Sequence, residues 1–245
     1  MISIARSRCA LSPKPPKRAA DIAGRPWVEP VTLEGSVVRL EPLTVEHLSG
    51  LISSGLEGEL WRWTLSANQT PGEMRGYVEA ALAAAAAGTE APFATVERSC
   101  GRVIGSTRYL SIDAHHRRLE IGYTWINPAW QRTAVNTEAK LLMLTHAFNV
   151  LGALRVEFKT DSLNERSRGA LLGIGATEEG TMRNHMVTDS GRRRHSVYFS
   201  VIEEEWPRVR QHLESRLTRL NQRAQPATAP SSEPAPAPAE SALDG

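Results

Sequence analysis

A short loop near the middle of the chain carries the residue types best suited to binding an anion. It is small and non-acidic, and it precedes an amphipathic helix whose apolar residues, among them Leu141, Leu144 and Phe148, share one face. The first turn of a helix leaves backbone N–H groups unpaired at the positive end of its dipole, where Arg132 adds a fixed charge suited to phosphate. We therefore predict an anion site at Gln131, Arg132, Thr133, Ala134, Val135, Asn136 and Thr137.

The elements around this loop must hold it in place. Asn136 stands where an N-cap belongs, and Gly152 stands where the helix should end. Before the loop, the patterns predict strands at 37–41, 93–97, 103–111 and 118–126 and helices at 44–53 and 70–88. After it, they predict strands at 154–160, 177–187 and 194–202 and helices at 164–174 and 203–220.

The strand before the loop, 118–126, alternates strictly. This pattern predicts one apolar face and one face that carries the only carboxylate of the strand, Glu120. The apolar face would consist of Leu119, Ile121, Tyr123 and Trp125, and we therefore expect Tyr123 in the core.

Composition limits the classes of protein that this chain can belong to. With 245 residues, 41% hydrophobic content and a net charge of +2, it suits one soluble domain at 27–220 between disordered segments at 1–26 and 221–245. The near-neutral charge gives no case for a dedicated nucleic-acid binder, and two cysteines signal neither a disulfide framework nor a zinc site. No apolar run of about 18 residues and no secretory leader is found, so we expect a cytoplasmic protein without a membrane span.

The loop resembles the acetyl-CoA pyrophosphate loop of the GCN5-related N-acetyltransferases, whose pattern is Gln/Arg-x-x-Gly-x-Gly/Ala. Here it reads Gln131-x-x-Ala134-x-Asn136, so both small-residue positions depart from the pattern. The order of the predicted elements is similar to that of the same family, and the nearest branch contains the ribosomal-protein N-terminal acetyltransferases, RimJ and RimL. The segments that carry this resemblance are residues 119–123, 160–167 and 172–176 and the pair Glu179-Gly180.

This resemblance implies the acyl-CoA N-acyltransferase fold, an α+β protein with α/β/α layers. Its sheet would be mixed, mostly antiparallel and twisted, with helices on both faces and a splayed central pair of parallel strands. It also implies acetyl-CoA as co-substrate, no metal, and a homodimer.

The resemblance assigns roles to individual residues. The backbone of Trp125, Ile126 and Asn127 would pair with the pantetheine amides, and residues 131–137 would hold the diphosphate. Asn164 would bond to the pantetheine arm, and Ser167 would protonate or bond to the thiolate. The alternatives are that Asn164 is only an N-cap and Ser167 an ordinary first-turn serine.

Acyl transfer to an amine also needs a group that accepts the amine proton. Glu120 is the candidate, and burial that raises its pKa would improve it as a base. The alternative is a structural glutamate paired with a nearby arginine. Trp61 and Trp63 either line the acceptor pocket or pack in the core. Residues 192–195 are interpreted as a solvated turn, and the alternative is a contact with an acidic partner such as a ribosome or RNA.

Two functions from different classes follow. The first is an acetyl-CoA-dependent N-acetyltransferase that acts on a primary amine of a peptide N-terminus or a small molecule. An uncertain base favours such amines over lysine, because an α-amine is neutral far more often at pH 7. The second is a non-catalytic module that keeps the fold and binds acyl-CoA, which the departures at Ala134 and Asn136 leave open.

Overall fold

A computed structural model of the chain describes residues 26–224. Its eight strands are β1 Leu33–Glu34, β2 Val38–Pro42, β3 Ala91–Glu97, β4 Val103–Asp113, β5 Arg118–Ile126, β6 Arg155–Asp161, β7 Thr177–Val187 and β8 Arg193–Ile202. Its six α-helices are α1 Leu48–Gly55, α2 Gly58–Trp61, α3 Pro71–Ala86, α4 Ala134–Thr145, α5 Glu165–Gly173 and α6 Trp206–Ala224. None of these helices is both long and apolar enough to cross a membrane.

The terminal segments were predicted to be disordered, and residues 1–25 and 225–245 lie outside the described residues. Helix α6 ends at Ala224, one helical turn past the predicted helix end at Leu220, and the domain boundaries at residues 26 and 221 stay predictions. No proline interrupts the helix before Pro226, so the backbone can continue its hydrogen bonding past Leu220.

All strands form one sheet in the order β1-β2-β3-β4-β5-β6-β8-β7. Every neighbouring pair is antiparallel except β5 and β6, which run parallel. Their pairing covers only Arg118 to Glu120 against Arg155 to Glu157, although both strands continue further. The predicted mixed sheet with a splayed parallel pair is therefore confirmed.

Helices cover both faces of the sheet. On one face, α4 and α6 pack against residues such as Leu119, Val156 and Phe158. On the other, α1 to α3 enclose a smaller cluster that includes Leu51, Met74 and Trp125. The start of α3 follows its sequence signature, since the Thr70 side chain accepts a bond from Glu73 N and the Glu73 carboxylate accepts one from Thr70 N.

A β-bulge in β5 changes which way its side chains point. Arg108 of β4 pairs with Gly122 and Ser106 pairs with Trp125, so two residues of β5, Tyr123 and Thr124, stand opposite one residue of β4. Tyr123 takes a φ of 48°. The predicted single apolar face is therefore wrong beyond Gly122.

After the bulge, the alternation of β5 continues with the opposite phase. Leu119 and Ile121 belong to the core cluster under α4, whereas Trp125 belongs to the cluster under α1 to α3. Tyr123, which we expected in the core, is 49% exposed. Period-two reasoning fails here because one additional residue reverses the face of every residue that follows.

Helix α4 begins three residues earlier than its expected cap. Thr133, and not Asn136, is the N-cap, and its side chain accepts a hydrogen bond from Val135 N. Asn136 lies inside the first turn. After Thr145 the helix widens into a π-helical turn, His146–Val150, and Gly152 ends the segment with a φ of 69°, as its sequence position predicts.

Candidate functional site

Three consecutive backbone N–H groups at the start of α4 are free to bind an anion. Among the described residues, the amides of Arg132, Thr133 and Ala134 have no hydrogen-bond acceptor. Of the remaining predicted amides, Gln131 N donates to Pro128 O at 3.1 Å and Val135 N donates to Thr133 Oγ1 at 3.3 Å. A helix start with free amides suits a diphosphate.

Two features of Arg132 suit a candidate anion site at this loop. Its backbone has a φ of 62°, a left-handed conformation that lets the chain turn sharply from the end of β5 into α4. Its side chain is exposed and makes no ion pair with any described carboxylate. Ala134 is the first residue of α4 and does not have a positive φ, since the left-handed residue of this loop is Arg132.

The Gln131 side chain ties three elements together at this end of the sheet. Its Nε2 donates to the Ile126 carbonyl oxygen at 2.8 Å, and its Oε1 accepts from Arg166 Nη1 at 2.8 Å. The end of β5, the anion loop and the start of α5 are therefore held by one amide group. Asn127 N donates to Ile104 O, so that N–H is not available to a ligand.

Asn164 and Ser167 are brought together at the start of α5. Asn164 Oδ1 accepts from Ser167 N at 3.0 Å, which makes Asn164 the N-cap of the helix. Its amide nitrogen and the Ser167 hydroxyl have no partner among the described residues, and both residues are half-buried. The capping role is thus present, and the donors that a pantetheine contact would need are left free.

Glu120 lies on the face of the sheet that carries α1 to α3, and it is 4% exposed. Its Oε2 pairs with Lys159 Nζ at 3.2 Å, so its partner is a lysine and not the arginine that we considered. Burial raises the pKa of Glu120 and the Lys159 charge opposes that rise. A Cβ on Gly122 would lie 3.1 Å from Glu120 Oε1, so the glycine leaves room for the carboxylate.

Lys140 is a charged residue of the site that sequence reasoning missed. It is 4% exposed, and its Nζ donates to Thr124 Oγ1 at 2.7 Å, at the bulge of β5. It pairs with no described carboxylate, and burial lowers its pKa to about 7. The available signal was its position, since Lys140, Leu144 and Phe148 fall at four-residue spacing on the apolar face of α4.

An aromatic group lies on the same face as Glu120. Trp61 packs within 5.5 Å of Trp125 and 6.1 Å of Tyr77, and Tyr77 lies 6.4 Å from Tyr123, all measured between ring centroids. Trp61 is 5% exposed and its Nε1 donates to Gly55 O at 2.7 Å, so Trp61 is a core residue. Trp63 is half-buried, with the guanidinium carbon of Arg192 5.5 Å from its ring centroid.

The turn between β7 and β8 is not the solvated turn that we expected. Arg192 Nη2 donates to Asp161 Oδ2 at 2.5 Å, and Arg194 Nε lies 3.9 Å from the same oxygen. Asp161 is only 1% exposed, so its charge requires these partners. Asp189 N also donates to Leu65 O, which joins this turn to the segment between α2 and α3. The turn therefore packs against the rim of the Glu120 face.

Comparison with known proteins agrees with this geometry. Residues 38–177 match the family model described as the acetyltransferase (GNAT) domain. The N-acetyltransferase YoaA of Bacillus subtilis (strain 168), itself uncharacterized, is 30% identical over 108 residues, which is 44% of this chain and 60% of YoaA. The chain thus aligns with less than two thirds of this curated relative.

Solved structures extend the match to most of the chain. A GCN5-related N-acetyltransferase from Brucella melitensis is 30% identical with a TM-score of 0.73, covering 78% of this chain and 87% of its own. Mycobacterium smegmatis RimJ, solved in complex with CoA-disulfide, is 21% identical with a TM-score of 0.64 over 77% of this chain and 93% of its own. That likeness is one of fold. Because the family model covers more than half of the residues, the chain belongs to the GNAT acetyltransferase family.

Proposed function

We propose that the chain is an acetyl-CoA-dependent N-acetyltransferase that transfers an acetyl group directly to a primary amine. The observation that carries this proposal is the row of free amides at Arg132, Thr133 and Ala134, beside the gap between β5 and β6. An N-terminal helix turn with unpaired N–H groups suits the diphosphate of coenzyme A. Membership of the GNAT family supports the same reading.

Other groups of the chain would bind the remainder of the cofactor. Within the part of the chain that the structure describes, residues 121–126 of β5 have no partner strand on the side of β6, so backbone groups of Trp125 and Ile126 are candidates to pair with the pantetheine amides. The free amide nitrogen of Asn164 would donate to the pantetheine arm from the start of α5. Acetyl-CoA supplies an activated thioester, whose acyl carbon an uncharged amine can attack.

Two side chains are candidates to accept and donate the protons that the transfer moves. The amine loses a proton as the new C–N bond forms, and Glu120 on the α1–α3 face is the proposed acceptor, directly or through water. The departing thiolate needs a proton or a hydrogen bond, for which the unpartnered Ser167 hydroxyl is the candidate. Both roles are proposals that mutation can test.

The acceptor is proposed to be an α-amine or another amine of low pKa, on a peptide N-terminus or a small molecule. Glu120 pairs with Lys159, and this charge weakens it as a base. A weak base acts best on an amine that is often neutral already, and an ordinary lysine at pH 7 is neutral less than about a thousandth of the time. A cytoplasmic location and a homodimer remain predictions.

An assay of thiol release from acetyl-CoA with a panel of amines tests the activity. We expect amine-dependent release of coenzyme A, faster at one pH with peptide N-termini and low-pKa amines than with a peptide whose only amine is a lysine. Equal rates on both acceptor types would contradict the acceptor preference. Calorimetric affinity for coenzyme A without any amine-dependent release would instead favour the non-catalytic binding module.

A further inference from the structure

Arg108, in the middle of β4, is a buried arginine in which at least three of the five N–H groups have no partner among the described residues. The residue is 4% exposed, and its Nη1 donates to Glu90 Oε2 at 2.6 Å. Its Nε and Nη2 are buried and have no partner among the described residues. These two N–H groups lie along one edge of the guanidinium and form a fork that can hold one carbonyl or carboxylate group.

The surroundings of Arg108 fix its orientation. The guanidinium carbon lies 4.0 Å from the ring centroid of Tyr123 and 4.8 Å from that of Tyr77. Two aromatic rings and the Glu90 carboxylate therefore hold the group while the Nε–Nη2 edge stays unbonded. Buried polar groups in proteins are nearly always paired, so an unpaired fork calls for a partner that residues 26–224 do not supply.

The sheet register places Arg108 beside the candidate base. Arg108 is the direct cross-strand partner of Gly122, and Glu120 lies two residues before Gly122 in β5, on the same face. Such diagonal neighbours are separated by roughly 7–8 Å between Cα atoms. The Glu120 carboxylate extends over Gly122, with Oε1 at 3.1 Å from the position of a Cβ there. An acceptor whose amine lies near Glu120 can therefore place a neighbouring group near the fork.

We propose that Arg108 is an acceptor-binding residue, whose Nε–Nη2 fork holds the carbonyl oxygen next to the reacting amine. The acceptors selected in this way are amines with a carbonyl on the neighbouring carbon, as in an amino-acid amide or a peptide N-terminus. The inference rests on the proposed acetyltransferase activity and assigns the residue that gives it specificity. A neutral carbonyl is favoured over a carboxylate, because Glu90 already neutralises the guanidinium charge.

The test compares Arg108→Lys with the wild type on two acceptors of similar basicity. Alaninamide carries the carbonyl and propargylamine does not. Lysine keeps a positive charge beside Glu90 but lacks the planar fork. We expect kcat/KM for alaninamide to fall about 10- to 100-fold, while that for propargylamine changes less than about threefold. An equal fall for both acceptors, or no fall for either, would overturn the proposal.

A matched control and a charge variant sharpen the result. Arg39→Lys changes an arginine of β2 whose Nε already donates to Glu41 Oε1 at 2.6 Å, and it should leave both acceptors unaffected. Glu90→Gln removes the neutralising charge and keeps the fork. It should shift the ratio of kcat/KM toward free alanine and away from alaninamide by about tenfold. An unchanged ratio of kcat/KM for the two acceptors would overturn the claim that the Glu90 charge makes the fork select a neutral carbonyl over a carboxylate.

A binding measurement separates this inference from the proposed activity. Calorimetric titration of the product, N-acetylalaninamide, in the presence of coenzyme A needs no turnover. We expect about tenfold weaker binding by Arg108→Lys than by the wild type, with unchanged affinity for coenzyme A and an unchanged unfolding temperature. If the fork holds only buried water, the two proteins will bind the product equally and the proposal fails. If the wild type binds the product but releases no thiol from acetyl-CoA, the proposed acetyltransferase activity is contradicted and the binding role of Arg108 is not.

Discussion

Burial acts in opposite directions on the two ionisable residues that flank the gap between β5 and β6. The carboxyl of Glu120, on the α1–α3 face, has a raised pKa, whereas the amine of Lys140, on the α4 face, has a pKa lowered to about 7. In both cases the cause is the same, because a low-dielectric environment disfavours the charged form. Lys159 offsets part of this effect at Glu120, and Lys140 has no such acidic partner among the described residues.

The acid limb of the activity profile should belong to Glu120. A base acts only when deprotonated, so kcat should fall as the pH decreases through the pKa of Glu120, and burial places that limb above the range of an ordinary glutamate. Glu120→Gln should lower kcat by about 10²- to 10⁴-fold and abolish the limb. The check is the dependence of kcat on pH for both proteins. Glu79→Gln, on the exposed side of α3, serves as control, and an acid limb that persists in Glu120→Gln would exclude Glu120 as the base.

Lys140 should make the stability of the protein depend on pH. Between pH 7 and 10.5 the unfolded chain keeps the lysine proton while the folded chain has lost it, so the free energy of unfolding rises with pH in this range. Lys140→Met removes this dependence, and its advantage over the wild type should be largest at or below pH 7. We expect that advantage to shrink by up to about 5 kcal/mol by pH 10.5. Urea unfolding of both proteins across this range measures it, and parallel curves would contradict it.

At the scale of elements, the start of α4 is fastened to the hairpin of β1 and β2 by one buried carboxylate. Glu138 is 3% exposed and accepts four hydrogen bonds, from Ser36 N, Ser36 Oγ, Val37 N and Val38 N, at 2.6 to 2.8 Å. Gly35 lies so close that a Cβ there would overlap the Glu138 carboxylate. The N-terminal half of α4, which begins at the candidate anion site, is therefore anchored to the edge of the sheet.

Glu138→Gln should destabilise the fold by about 2–4 kcal/mol, because the amide nitrogen cannot accept the hydrogen bonds of the oxygen it replaces. Urea unfolding measures the loss. The matched control is Glu79→Gln on the exposed side of α3, which should change the free energy of unfolding by less than about 0.5 kcal/mol. Similar small losses for both variants would show that Glu138 does not anchor the helix.

At the scale of the whole molecule, the candidate site lies where β5 separates from β6. The sheet divides the hydrophobic cluster on its α4 face from the cluster on its α1–α3 face. The bulge at Tyr123 and Thr124 increases the bend and twist of β5, and β5 leaves β6 after Glu120. Helix α4 closes one side of the gap with Lys140, and the α1–α3 face presents Glu120 and Arg108 on the other. A cofactor in the gap and an acceptor on the α1–α3 face would thus meet from different sides.

Coenzyme A should stabilise the whole fold through its diphosphate. At a concentration about 100 times its Kd it should raise the free energy of unfolding by about 2.7 kcal/mol, because it binds only the folded chain. Pantetheine, which lacks the diphosphate, should give much less at the same concentration. Thermal unfolding with each compound measures this difference. Equal stabilisation by the two would contradict an anion site at Arg132, Thr133 and Ala134.

The sequence by itself determined the type and order of the longer elements, although it did not predict the two-residue strand β1 or the short helix α2, and the anion loop stays a prediction. These features depend on local periodicity and on helix-start chemistry, which short stretches such as residues 70–73 and 131–137 contain in full. The N-cap role of Asn164 also followed from helix-start chemistry. The splayed parallel pair followed from the resemblance of the element order to that of the acetyltransferase family. The start of α4 was misplaced by three residues, because Thr133, Asn136 and Thr137 are all able to cap.

Only the tertiary structure decided which residues face the site. The bulge depends on how β5 pairs with β4, and this pairing reversed the faces of Tyr123 and Trp125. The unpaired fork of Arg108, the lysine partner of Glu120 and the isolation of Lys140 are likewise contacts between residues distant in sequence. Periodicity describes the direction of a side chain from its own strand or helix, whereas burial and partners are set by the elements that pack against it.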